Sequence, residues 1–178
     1  MKPINDLTFE YVNEAIRYDP ESGFLYWKER PLHHFRSEWA WEIFNKTYPG
    51  TKIGNLSASG YYKFNLKGRT YVCHRIAWLL YYKKWPDDLL DHKNLDKTDN
   101  RISNLREATY SQNAINSGPS KLNKLGIKGV SYSKAKKKYR AQIQYEKKYV
   151  HIGYYDTAEE AGAAYDKKAE ELYGEFAY

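Results

Sequence analysis

The segment running from Asp91 to Asn113 constrains this chain more than any other part of it. Leu89-Leu90-Asp91 reads as a short strand, and His92 follows directly. Asp96, Asp99 and Asn100 are turn formers whose side chains bond their own backbone. Leu105-Arg106-Glu107-Ala108 returns as a second strand. Thr109-Tyr110-Ser111-Gln112 then matches a capping box, in which the Thr109 hydroxyl accepts from the amide of Gln112 and Gln112 reaches back to Thr109. Asn113 falls in the first turns of the helix opened in this way. Hairpin and helix together aim Asn113 back at the end of the first strand, where a carboxylate stands next to an imidazole. Asp91 and His92 are neighbours on an extended chain, and such neighbours face opposite ways. They share a site only if the strand ends or twists between them.

Composition narrows the setting. At 178 residues there is room for one domain or two small ones. The net charge of +7 favours a polyanionic partner, by attraction and by release of condensed counterions. The 19 Tyr and 5 Trp supply rings that fill small cores or stack on bases. Cys73 is the single cysteine, which excludes an intrachain disulfide and a cysteine-rich zinc site. No apolar run is long enough to span a membrane, and no signal-peptide pattern opens the chain. These features predict an intracellular, cytoplasmic protein without a membrane partner.

Elsewhere, residues 8–17 read as a short amphipathic helix stopped by Pro20 and Gly23, and Phe24-Leu25-Tyr26-Trp27 reads as a strand. Residues 30–50 are rich in aromatics but have no clean period. Gly60 and Gly68 punctuate two strand-like runs, 61–66 and 69–74, and residues 75–82 read as a helix ended by Lys84-Trp85-Pro86. Ser117-Gly118-Pro119-Ser120-Lys121-Leu122-Asn123-Lys124 is a linker by composition. Beyond it, Val130, Ala141, Ile143, Val150 and Ile152 alternate with polar residues in three runs. Residues 158–172 then form a helix with a Thr157/Glu160 capping box, a stripe of Ala161, Ala164, Tyr165 and Leu172, and a stop near Gly174.

The run Asp91-His92, Asp99-Asn100-Arg101, Ser103-Asn104-Leu105-Arg106, Gln112-Asn113 resembles the HNH (ββα-metal) nucleases, in particular the phage and intron-encoded homing endonucleases. The likeness extends from about residue 18 to 116 and includes Cys73-His74-Arg75-Ile76-Ala77-Trp78 and Trp85-Pro86. It implies that Asp91 is a metal-ligand carboxylate, His92 the general base and Asn104 the residue that braces the hairpin. Asn113 occupies the place where many relatives carry a last histidine, making this the His-Asn-Asn variant. Asp plus Asn offers hard oxygen ligands, which suit Mg²⁺ or Mn²⁺. The implied chemistry is hydrolysis of a DNA phosphodiester, with neutral His92 taking a proton from water. His74 reads as a packed histidine at the start of a helix, and Arg106 as a DNA contact.

Residues 127–178 resemble the plant Apetala/ethylene-response-factor DNA-binding domain. The matching pieces are Lys128-Gly129-Val130, Tyr139-Arg140-Ala141-Gln142-Ile143, His151-Ile152-Gly153-Tyr154-Tyr155, Thr157-Ala158-Glu159-Glu160-Ala161 and Ala163-Ala164-Tyr165-Asp166. The resemblance implies a sheet that enters the major groove with a helix behind it. Strand alternation agrees: Ala141 and Ile143 face the helix, whereas Arg140, Gln142 and Gln144 face outward with Ser131, Ser133, Tyr149 and His151. Arg pairs with guanine and Gln with adenine in that groove. Lys121 and Lys124 in the linker, and Lys136 and Lys137 in a charged turn, are candidate phosphate contacts. Ser131, Ser133 and His151 depart from residues common in the plant domains, so the plant target sequence does not transfer.

Together these readings predict an α+β chain. A ββα-metal HNH nuclease domain with an N-terminal extension (1–116) precedes a basic linker (117–124). A small three-stranded antiparallel sheet packed on one helix (125–178) follows. The expected function is a site-specific, metal-dependent endonuclease of the homing type acting on double-stranded DNA, in the host cell if phage-encoded. The alternative is a DNA-binding transcriptional regulator with a degenerate nuclease domain. One active site per chain would make a monomer a nickase, whereas a dimer could break both strands.

Overall fold

The computed structural model describes residues 5–120 and 122–177. The chain divides into two compact units, Met1–Glu107 and Ala108–Tyr178. Among the described residues no helix is long and apolar enough to cross a membrane.

In the first unit, helix α1 (Phe9–Ala15) is capped by the Thr8 hydroxyl, which accepts from Tyr11 N. It buries Val12 and Ala15 and leads directly into β1 (Ile16–Tyr18), which pairs antiparallel with β2 (Leu25–Trp27). The aromatic region that lacked a period becomes a single 3₁₀ turn at Leu32–His34 and helix α2 (Glu38–Thr47), capped by Ser37. Its rings are organised by a cation rather than by a regular stripe. The Arg30 guanidinium lies over Phe35 and Phe44, 4.6 and 4.8 Å from the ring centres. The Trp41 indole N–H and the Asn45 amide both donate to the Arg30 carbonyl.

A three-stranded antiparallel sheet follows, in the order β3 (Asn55–Leu56), β4 (Tyr62–Leu66), β5 (Arg69–Val72). Helix α3 (Cys73–Tyr82) begins two residues earlier than the sequence suggests, because the strand ends with Val72, and it stops where Lys83 enters the left-handed region. Every residue of α3 from Cys73 to Leu79 is buried, so it is the central element of this unit. Ile76 and Leu79 pack with Val12, Ile16 and Leu25, and truncating such a side chain costs about 2–5 kcal/mol. The two-stranded sheet of β6 (Leu89–His92) and β7 (Leu105–Ala108) completes the hairpin expected from the sequence.

The second unit opens with α4 (Tyr110–Ile115), on which both halves of the Thr109/Gln112 capping box are formed. Strands β8 (Val130–Ser133), β9 (Lys138–Tyr145) and β10 (Lys148–Tyr155) make an antiparallel sheet in the order β10-β9-β8. Helix α5 (Ala158–Tyr173) carries the Thr157/Glu160 capping box and covers one face of that sheet. Ala141, Ile143, Ala161, Tyr165 and Ala169 are buried beneath it. Gly129 has φ +68°, and a Cβ there would collide with the Tyr165 ring, so this turn requires glycine. The architecture is α+β: a ββα-type hairpin and helix, then a three-stranded sheet packed on one helix. The composition-based linker lies at 117–124, while the contacts divide the chain after Glu107. The two divisions differ by α4, whose Ile115 packs with Ile143, Tyr165 and Ala169.

Candidate active site and nucleic-acid interface

Strand β6 ends at His92, and the chain turns at once: Leu95 N donates to the His92 carbonyl, and Leu95 has φ +64°. Asp91 and His92 both lie within the strand, and their side chains take different partners. Asp91 turns toward β7, where its Oδ2 accepts from Arg106 Nε at 2.9 Å. His92 turns into the loop, where its Nε2 lies 3.2 Å from Asn100 Oδ1. Because that oxygen accepts, the ring nitrogen donates, and the lone pair of the neutral imidazole is on Nδ1. Burial lowers the pKa of His92, against the raising effects of the Asn100 bond and of Asp91, Asp96 and Asp99. The ring is therefore neutral at neutral pH.

The loop between the strands is held by its own side chains. Asn104 Oδ1 accepts from Asn94 N, its Nδ2 donates to the Asp99 carbonyl, and its own carbonyl accepts from Lys93 N. Asp99 accepts from the Arg101 guanidinium, which holds its carboxyl down at about 2. Tyr18 donates from its hydroxyl to the Asn100 carbonyl at 2.8 Å. The turn before β2 also presses on this loop: a Cβ on Gly23 (φ +74°) would stand 2.5 Å from Arg101 N. The His92 ring meets His74 edge to face at 5.1 Å, and Tyr61 lies against both rings. Burial, with the charges of His92 and Arg75, pushes His74 down to about 3.

Asp91 and His92 thus stand together in the first unit, as the sequence places them. Asn113 lies half-buried on α4 in the second unit, its N–H donating to the Thr109 carbonyl. Arg106, expected as a DNA contact, is buried with its Nε against Asp91 Oδ2. Asn100, Tyr18, Gly23 and Tyr61 were not picked out as site residues by sequence reasoning. Asn100 read as a turn former, and only the folded loop makes it the partner of His92.

A second cluster lies in the first unit. Glu14, His33 and His34 bring one ligand atom each to within 4.8 Å of one another, a candidate metal-chelating triad. Glu14 Oε2 lies 3.2 Å from His33 Nε2 and 3.0 Å from His34 Nε2. The Arg30 guanidinium donates to Nδ1 of His34, which puts that neutral ring's proton on Nε2, toward Glu14. Burial and the Arg30 charge lower the His34 pKa. A cation bound at this Nε2 would have to displace that proton. The His33-His34 pair is visible in the sequence, but its partner Glu14 is not.

On the C-terminal sheet, Arg140, Gln142 and Gln144 alternate with buried Ala141 and Ile143. Across β9, Ser131 pairs with Arg140 and Ser133 with Lys138, while Tyr149 pairs with Gln144 and His151 with Gln142. A register shift between His151 and Gly153 then changes which side chains point outward. Beyond it Tyr154 pairs with Arg140 and is exposed, and Tyr155 packs inward against the core. Simple alternation does not reveal Tyr154. Arg140 lies between Ser131 and Tyr154, and its Nε has no hydrogen-bond partner among the described residues. Lys124, Lys136 and Lys137 are exposed, and Lys121 lies outside the described residues.

The family model described as HNH endonuclease matches residues 71–115, and the AP2 domain model matches residues 125–175. An uncharacterized HNH endonuclease of Acanthamoeba polyphaga mimivirus is 35% identical over 123 residues. That alignment covers 68% of this chain and 63% of the relative, so the chain spans less than two thirds of the relative's length. Among solved structures, one of the HNH homing endonuclease I-HmuI is similar with 17% identity and a TM-score of 0.40, covering 61% of this chain and 54% of that one. The chain therefore joins a domain of the HNH endonuclease family to a domain of the AP2 type.

Proposed function

We propose that this protein is a homing-type endonuclease that hydrolyses a phosphodiester bond of double-stranded DNA, acting inside the cell. The observation that carries the reading is His92: a buried, neutral imidazole at the end of β6, next to the Asp91 carboxylate, with Nε2 bonded to Asn100. In this role Nδ1 of His92 takes the proton from the attacking water, and the Asn100 bond stabilises the imidazolium that forms. Asn104 holds the loop that carries Asn100. Arg106 fixes the orientation of Asp91.

The donor set of Asp91 and Asn113 consists of hard oxygens, which fits Mg²⁺ or Mn²⁺. Such an ion, when bound, supplies charge neutralisation at the phosphate and the departing oxygen. The functional division we propose is a nuclease domain over 1–116, a basic linker over 117–124 and a DNA-binding domain over 125–178. The outward face of the sheet reads bases through Arg140, Gln142 and Gln144, with Ser131, Ser133, Tyr149 and His151 beside them. Arg140 and Gln142 carry the donor and acceptor sets that pair with guanine and adenine in the major groove. Lys121, Lys124, Lys136 and Lys137 contact phosphates.

Incubating the full chain with mixed plasmid and phage DNA in Mg²⁺, with a chelator control, tests this. Metal-dependent cuts at discrete positions support it. The Asp91–Arg106 ion pair favours a second reading, in which the carboxylate is structural and the chain is a DNA-binding regulator. Tight DNA binding without any cleavage in Mg²⁺ or Mn²⁺ would establish that one instead.

A further inference from the structure

We propose that Lys128 is a positioning residue for Asn113, fastening the helix that carries this metal ligand to the DNA-reading unit; the role rests on the nuclease reading above. Helix α4 has 6 residues, too few to be stable without help from packing. Its last carbonyls have no partner within the helix. The Lys128 ammonium donates to the carbonyls of Ala114, at 2.9 Å, and of Ile115 and Ser117. These three bonds use all the donors an ammonium has. They also place its charge at the negative end of the helix dipole.

The other attachments point the same way. Ile115 is buried with Ile143 of the sheet and with Tyr165 and Ala169 of α5. The Thr109/Gln112 box closes the opposite end of α4. Lys128 itself is one residue from Gly129, whose carbonyl accepts from Gln142 N on the central strand. A single side chain therefore joins the end of the Asn113 helix to the strand pair that presents Ser131 and Arg140. Lys128 is half-buried by its neighbours, and burial lowers its pKa to about 8. An ammonium in such a place needs the compensation that three carbonyls provide. The Lys128-Gly129-Val130 match to a DNA-binding domain suggested nothing beyond the sheet. The structure turns this lysine to the nuclease motif's last helix.

The test uses the full chain and three variants. Lys128→Met keeps the aliphatic stem and removes the donors. Lys128→Arg keeps charge and donors. Lys128→Gln is a milder loss that serves if the methionine variant does not fold. Hydrogen exchange reads the fastening without any reference to activity: the Asn113 and Asn116 amides should exchange about tenfold faster in Lys128→Met. Cleavage then reads the positioning. The Mg²⁺ concentration for half-maximal cleavage should rise by about tenfold, the range found when groups supporting a metal ligand are removed. DNA affinity in chelator should stay as in the wild type, and Lys128→Arg should restore the metal requirement.

Unchanged exchange in Lys128→Met or Lys128→Gln overturns the proposal. So does an unchanged metal requirement in a folded variant. A fall in DNA affinity that matches the fall in cleavage would make Lys128 a DNA contact and also overturn it. If the wild-type chain cuts no DNA, the nuclease reading fails and the positioning role falls with it. The exchange result then stands alone as evidence on the fastening of α4.

Discussion

Arg106 Nε lies 2.9 Å from Asp91 Oδ2, and the two side chains are only 10% and 6% exposed. A guanidinium and a carboxylate withdrawn from water depend on each other, because removing one leaves the other's charge in a poorly solvated place. Arg106→Met should therefore destabilise the fold by about 3–5 kcal/mol. Adding Asp91→Leu should recover much of the loss. Urea denaturation of the two single variants and the double variant measures the coupling. Additive effects would mean that the pair is not an energetic unit.

His92→Ala should lower the cleavage rate by about 10²–10⁴-fold, the usual contribution of a general base. DNA binding in chelator should be unaffected, since the imidazole is buried in the loop and not spread on a phosphate-facing surface. Single-turnover cleavage beside a binding titration separates the two. A variant that cuts at the wild-type rate removes His92 from the chemistry.

Acid should weaken the first unit in two successive, overlapping windows. Burial, aided by the charges of His92 and Arg75, depresses His74 from 6.5 to about 3 in the folded protein. The unfolded chain thus binds the extra proton first. The stability from keeping His74 neutral is complete above about pH 6.5 and is lost as pH falls toward about 3. Asp99, held down from 3.8 to about 2 by Arg101, contributes in full above about pH 3.8 and loses that contribution as pH falls toward about 2. His74→Phe should flatten the loss of melting temperature in the upper window and leave the lower one in place. An acid limb identical to the wild type would contradict the buried, neutral assignment.

A fragment of residues 108–178 should melt higher than one of residues 121–178. The shorter piece lacks Ile115 and all three carbonyls that Lys128 bonds. Loss of a buried isoleucine side chain alone costs about 2–5 kcal/mol. Thermal melts followed by circular dichroism compare them. Equal midpoints would show that α4 adds nothing to the C-terminal fold.

On the C-terminal sheet, if it reads bases as proposed, Arg140→Ala or Gln142→Ala should cost about 1–3 kcal/mol at the preferred site and relax selection at particular base pairs. Lys136→Ala or Lys137→Ala should weaken binding to all sequences alike and flatten its salt dependence. Tyr154→Ala belongs with the first group, because the register shift puts its ring beside Arg140. Cleavage-site profiles distinguish the classes. Unchanged profiles for Arg140→Ala and Gln142→Ala would move specificity away from the sheet.

Much of this organisation is written in local sequence. The Thr109/Gln112 and Thr157/Glu160 boxes form as their spacing requires, since a capping box involves only residues three apart. The alternation of Ala141 and Ile143 with Arg140, Gln142 and Gln144 survives because a strand's period is a backbone property. Asp91 and His92 come together for the same kind of reason, being adjacent in the chain. Residues 30–50 resisted reading because their rings answer to the Arg30 guanidinium, a centre without periodicity.

What the sequence by itself determined is therefore the set of short-range elements, the two motif-bearing regions and the residue types available for chemistry. Only the tertiary structure decided who partners whom: Arg106 with Asp91, Asn100 with His92, Lys128 with the end of α4, and Tyr154 outward beyond the register shift. The physical reason is range. Caps and alternation are fixed within a few residues by backbone geometry. A buried charge or donor takes whatever partner the packed chain brings to it, and that partner has no fixed spacing in sequence.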